Sequence, residues 1–128
     1  MSAETLSRIL YVEDEPDIQA VARLALEAIG QFTLEICSSG QEALEKAEAF
    51  APQLTLLDVM MPGMDGPDTM KRLHMIPALA DVPTVFMTAK AQPQEIMEYK
   101  EMGAADVIAK PFDPMTLAAT INAIWRRL

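Results

Sequence analysis

Five short apolar runs punctuate the chain, and each gives way to a polar turn and then to apolar residues at helical spacing. Residues 8–12, 33–37, 54–57, 82–87 and 106–109 read as strands. They are continuous rather than alternating runs, as expected of parallel strands covered by helices on both faces. After the first, Glu15-Pro16 opens a helix where the missing N–H of proline does no harm. Ile18, Val21, Ala22, Ala25 and Ile29 follow at helical spacing, and Gly30 is a natural stop. Ser39-Gly40-Gln41-Glu42 has the spacing of a capping box ahead of an Ala43, Leu44, Ala47, Phe50 face, and Pro52 ends that helix. Pro62-Gly63-Met64-Asp65-Gly66 is turn chemistry, followed by a helix carrying Met70, Leu73 and Ile76. Pro83 delays the start of the fourth strand. Gln92-Pro93 begins a helix that stops at Gly103, and Asp113-Pro114 caps a last one with a Leu117, Ile121, Ile124, Leu128 stripe.

This alternation predicts an α/β fold: a doubly wound, five-stranded parallel sheet in one domain spanning 1–128, with 1–7 as a flexible N-terminus. Right-handed crossovers leave few strand orders, of which 2-1-3-4-5 is one of the two common ones.

In such a sheet the residues just past the strand C-termini line one crevice. Here they are Glu13-Asp14, Asp58, Thr88 and Lys110-Pro111. Three crowded carboxylates repel one another unless a divalent cation sits between them. The set suits a site that binds Mg²⁺ and accepts a phosphoryl group on an aspartate. Glu15 alone is explained by the helix dipole, but acids that end a buried strand are not.

Charge and composition narrow the partners. The 128 residues carry a net charge of -9, which argues against nucleic acid as a partner but not against a protein with a basic face. No apolar stretch approaches the roughly 20 residues that span a bilayer, so no membrane association is expected. The N-terminus has Glu4 and no apolar signal region, which points to the cytoplasm. Cys37 stands alone, which excludes an internal disulfide and reads as packing. His74 is also alone, with no zinc-site spacing around it.

Val12-Glu13-Asp14-Glu15, the run from Leu57-Asp58 to Asp65-Gly66, Met87-Thr88-Ala89, and Gly103-Ala104 leading to Lys110-Pro111-Phe112 occur in order at the ends of successive strands. Together they resemble the receiver domain of two-component response regulators, over 8–128, and most of all its single-domain, chemotaxis-like members. The resemblance implies the flavodoxin-like order 2-1-3-4-5. It implies Asp58 as phosphoacceptor, Lys110 and Thr88 as phosphoryl-contacting residues, and a cis Lys110–Pro111 bond. It implies Mg²⁺ held by Asp14, Asp58 and the backbone carbonyl of Met60, with Glu13 acting through a coordinated water. Ala89 would leave an open path to Asp58, and Met60 and Lys90 would tune hydrolysis of the acyl phosphate. The expected partners are a histidine kinase or histidine phosphotransfer protein and a downstream protein, with the chain a monomer or weak dimer.

The expected activity is a switch with self-catalysed phosphoryl transfer and autodephosphorylation, not an enzyme acting on other substrates. With no output domain before Leu128, signalling through protein contacts or phosphorelay is expected, and a receiver excised from a longer protein fits equally. One residue departs from the family. The position three before Lys110 is usually aromatic and couples phosphorylation to the outer surface; here it is Val107. The switch region is thus Val107, Ala89 and Pro111, with Tyr99 and Phe112 as aromatic substitutes or as packing.

Other classes fit less well. An aspartate-nucleophile phosphotransferase would carry a second Asp where Met60 stands. A flavin carrier on this topology needs a phosphate-cradling loop where Glu13-Asp14-Glu15 would repel phosphate. A receiver-like adaptor that is never phosphorylated stays open because of Val107.

Overall fold

The computed structural model describes residues 4–128. Strands β1 (Arg8–Val12), β2 (Thr33–Cys37), β3 (Leu54–Asp58), β4 (Thr84–Thr88) and β5 (Asp106–Ala109) form one parallel sheet in the order β2-β1-β3-β4-β5. Helices α1 (Pro16–Arg23), α2 (Gly40–Phe50), α3 (Gly66–His74), α4 (Pro93–Glu101) and α5 (Leu117–Arg126) connect the strands and cover both faces. A π-helical segment, Leu24–Ile29, continues α1, and a short 3₁₀ turn, Pro77–Leu79, precedes β4.

Period-two alternation splits each apolar run between two cores. Ile9, Tyr11, Leu54, Leu56, Val85, Met87 and Ile108 pack with α1 and α5. Leu10, Val12, Leu57 and Phe86 face the other way, toward α2 and α3, with Tyr99 of α4 at the margin. The run of apolar residues in each strand is therefore the sum of two half-faces, each filled by its own pair of helices.

Three expectations need correction. Residues 4–7 are not a flexible N-terminus. Leu6 is buried, the Gln53 side chain bonds Glu4, Thr5 and Ser7, and Trp125 Nε1 donates to the Glu4 carbonyl at 2.8 Å. Residues 1–3 lie outside the described residues.

The expected α1 stripe also breaks. Ala22 and Ala25 are buried, but Val21 and Ile29 are exposed and Leu26 takes an inward place. From Leu24 on, the wider π turn, with Gly30 N bonded to Ala25 O, shifts the phase, so that Leu26 rather than Ile29 turns inward.

β4 starts at Thr84, the delay expected of Pro83, which cannot donate to the ladder. The last helix starts at Leu117, later than Asp113-Pro114. Asp113 instead organises the preceding turn, accepting from the Met115 amide at 2.9 Å.

Candidate functional site

Every one of the chemistry-bearing positions lies at the C-terminal edge of the sheet. Asp58 is the last residue of β3 and Thr88 the last of β4. Glu13 directly follows β1 and Lys110 directly follows β5. Side-chain parity explains how they meet. Glu13 continues the Ile9, Tyr11 row, Asp58 the Leu54, Leu56 row, and Lys110 follows Ile108 by two, so all three point to the α1 and α5 side.

The geometry follows from that. Lys110 Nζ donates to Glu13 Oε1 at 3.0 Å and to Asp58 Oδ1 at 3.2 Å. Both carboxylates are buried. The ammonium therefore bridges two acids. Glu13 is pinned further: Glu15 N donates to Oε2 at 3.3 Å and the Tyr11 hydroxyl to Oε1 at 3.2 Å. Gln19 on α1 donates its amide to the Glu13 carbonyl and to Ser38 Oγ, which ties the β1 and β2 ends together. The Lys110–Pro111 bond is cis.

Glu13, Asp14 and Asp58 each place a carboxylate oxygen so that all three lie within 4.8 Å of one another. Hard oxygen donors in that number fit a hard divalent cation such as Mg²⁺, whose remaining positions would be filled by water. Among the described residues this is the group with that donor spacing.

Burial, and then the Glu13 charge, push the Asp58 carboxyl up to about 6, against the pull of Lys110. Burial opposes the Lys110 charge, but the Glu13 hydrogen bond and the Asp58 charge outweigh it and hold the ammonium above its ordinary value. In the metal-free state the cluster is therefore one cation shared by acids that repel each other.

The remaining predicted positions fall around this centre. The Thr88 hydroxyl is buried and accepts from the Lys90 amide at 3.0 Å. Ala89 and Pro111 are exposed at the mouth, and Met60 is 69 % exposed on the loop that leaves β3. That loop is held close by Gly66. Its amide donates to the Val59 carbonyl, and a Cβ there would sit 2.7 Å from the Asp58 carbonyl oxygen. Glycine is thus the residue that lets α3 begin against the end of β3.

Val107 is not at the centre. It pairs with Phe86 across β4 and β5 and, like Tyr99, packs against the edge of the α2–α3 core. Tyr99 stands edge-on to Phe86, with centroids 5.4 Å apart. Phe112 packs on the opposite core. Cys37 is buried, and burial first of all pushes its thiol up to about 12, in keeping with packing.

Sequence reasoning missed Tyr11 and Gln19. Tyr11 carried a signal: a tyrosine two residues before a strand-end acid lies on the same strand face as that acid. Gln19 carried none, because its contact depends on how α1 lies across β1.

A five-stranded 2-1-3-4-5 sheet with acids, a hydroxyl and a lysine at its strand ends defines a class of phosphoacceptor-type α/β domains. The chain belongs to the response regulator receiver domain family, whose pattern matches residues 9–122. It is 36 % identical over 121 residues to the transcriptional regulatory protein CseB of Streptomyces coelicolor, covering 94 % of this chain and 50 % of that one. It is 38 % identical over 120 residues to the alkaline phosphatase synthesis transcriptional regulatory protein PhoP of Bacillus subtilis, covering 94 % and 49 %. Among solved structures it resembles the chemotaxis response regulator CheY4 of Vibrio cholerae, with a TM-score of 0.85 and 29 % identity over 94 % of this chain and 99 % of that one.

The chain spans about half the length of the sequence relatives it matches. Those relatives are named as transcriptional regulators, so the expectation of no nucleic-acid partner is not supported. Among the described residues no helix is long and apolar enough to cross a membrane.

Proposed function

We propose that the chain is a phosphorylation-driven switch in which Asp58 receives a phosphoryl group from a phosphohistidine of a kinase or phosphotransfer protein. An Asp58 carboxylate oxygen forms the new P–O bond as the P–N bond to the donor histidine breaks, and the ring nitrogen keeps the electron pair. Asp14, Asp58 and the Met60 carbonyl would hold Mg²⁺ directly and Glu13 through a water. The ion supplies neutralisation of the charge on the phosphoryl oxygens.

Lys110 leaves Asp58 for a phosphoryl oxygen, and Thr88 offers its hydroxyl to another. Ala89 keeps the approach open. Water attack on the acyl phosphate resets the switch. The outward signal passes through the loop at 89–92 to the face formed by α4, β5 and α5, toward a protein partner or back to a histidine in a relay.

The observation that carries this reading is the Lys110 bridge between buried Glu13 and Asp58, with Asp14 close enough to share a cation. A structural salt bridge needs one acid per base, whereas this site gathers three carboxylates, two of them buried, around one ammonium.

Incubation with a small-molecule phosphodonor and Mg²⁺ tests it, with the modified residue located by mass spectrometry. Asp58 is expected to carry the label, and Asp58→Asn to abolish it with the circular dichroism spectrum unchanged. Equal labelling of both proteins overturns the assignment.

A further inference from the structure

Tyr11 is a fully buried tyrosine in β1, and the proposed function gives it no task. Its neighbours on that face are apolar: Ile9, Leu54, Leu56, Val85 and Met87. A phenol in such a place costs desolvation unless its hydroxyl is bonded. The hydroxyl reaches the end of the strand and donates to Glu13 Oε1 at 3.2 Å. That oxygen also receives Lys110 Nζ, at 3.0 Å. Oε2 is taken by the Glu15 amide. One oxygen of a buried carboxylate thus has two side-chain donors, one of which is the lysine shared with Asp58.

We propose that Tyr11 is a positioning residue, whose hydroxyl holds Glu13 in place and keeps its Oε1 satisfied when Lys110 moves to the phosphoryl group on Asp58. The inference rests on the roles of Asp58 and Lys110 proposed above and adds a residue to them. In the resting state Lys110 serves two acids. A phosphoryl oxygen competes for the same ammonium, and without a second donor the buried Glu13 Oε1 would keep no side-chain donor. That penalty would fall on the phosphoryl-bearing state alone. Tyr11 removes it, because the strand fixes the phenol whichever acid Lys110 serves. The hydroxyl is the donor of this pair, since a carboxylate oxygen can only accept.

Tyr11→Phe removes only the hydroxyl. Beryllofluoride, a phosphoryl mimic, titrated at saturating Mg²⁺ should bind the variant on the order of tenfold more weakly, the loss of one hydrogen bond to a charged group. Mg²⁺ affinity without beryllofluoride should stay within about threefold, because Lys110 still holds Glu13 in the resting state. Unchanged beryllofluoride affinity, or equal weakening of beryllofluoride and Mg²⁺, overturns the inference, the second result marking a structural role only.

The wild-type protein gives a readout independent of the variant's folding. The Tyr11 hydroxyl proton, observed by NMR, should persist and shift as beryllofluoride saturates the site and Lys110 withdraws from Oε1. An unmoved resonance overturns the inference. A wild type that binds no beryllofluoride overturns the Asp58 reading and this inference with it, whereas a wild type that binds beside an unchanged Tyr11→Phe overturns the inference alone.

Discussion

The strand-end pocket and the face built by α4, β5 and α5 are held by different means. In the pocket, Glu13 and Asp58 are buried, Lys110 bridges them, and Tyr11 and the Glu15 amide fix Glu13 from both sides. On the other face, α4 buries none of its residues fully and its Met97 is 62 % exposed. Its anchor is the Tyr99 ring against Phe86, beside a half-buried Val107. The ion pairs there are exposed at one end: Arg127 to Asp106 at 2.8 Å and Lys100 to Asp106 at 3.7 Å. Exposed pairs are screened and contribute little. The contrast teaches that the proposed reacting groups are fixed in advance by electrostatics, whereas the proposed output surface is held by small terms that a modest change can outweigh.

Four experiments break or sharpen that contrast. Lys110→Ala should have the largest effect on stability, since it leaves two buried carboxylates without their cation. A loss of about 2 kcal/mol at pH 7.5 in Mg²⁺-free buffer is expected from denaturant midpoints. A loss below about 0.5 kcal/mol would mean that the bridge is no more than a surface pair.

The raised pKa of Asp58 gives the next effect. Its folded value, about 6, lies above the ordinary carboxylate value, so the folded state holds the proton more tightly. Stability from this group is complete below about pH 4 and is lost as pH rises through about 6. Metal-free protein should lose on the order of 1–2 kcal/mol across that window after solvent screening at the mouth, and Asp58→Asn should flatten the curve. A wild-type curve that rises over the same window would reverse the assigned sign.

Added Mg²⁺ should raise the thermal midpoint by the equivalent of about 1.4 kcal/mol at ten times its dissociation constant. Asp14→Ala should remove that response, and an undiminished response would move the cation elsewhere.

The smallest effect belongs to the other face. Tyr99→Leu loses an edge-to-face pair, so about 1 kcal/mol of stability should go while Asp58 labelling continues. With beryllofluoride, amide NMR changes should centre on Asp58, Thr88 and 89–92 and be weak at Val107 and α5, because Val107 has no ring to rotate. Large changes across Val107 and α5 would show that the face is coupled to the pocket as tightly as the pocket is to itself.

Much of this was legible in the residues. Strand runs at 8–12, 33–37 and 106–109 match the structure end for end, because parallel strands buried on both faces leave a continuous apolar signal. Where local signals misled, a specific contact intervened. The phase of α1 was lost at a π turn, and the last helix started late because Asp113 closed its own turn. The N-terminal residues 4–7 looked free, yet Gln53 and Trp125, distant in sequence, hold them.

The strand-end chemistry was written in the chain: acids after β1, Asp58 ending β3, Thr88 ending β4 and a lysine after β5. Alternation and composition required a parallel sheet, and such a sheet gathers its strand ends in one crevice. Which oxygen receives which donor was decided only in three dimensions. Lys110 spans 97 residues to reach Glu13 and 52 to reach Asp58, and no local pattern encodes that choice. Strand order and register set it by bringing β1, β3 and the β5 end to the same height. Side-chain parity then turns Tyr11, Glu13, Asp58 and Lys110 to one side, and burial makes their shared hydrogen bonds obligatory.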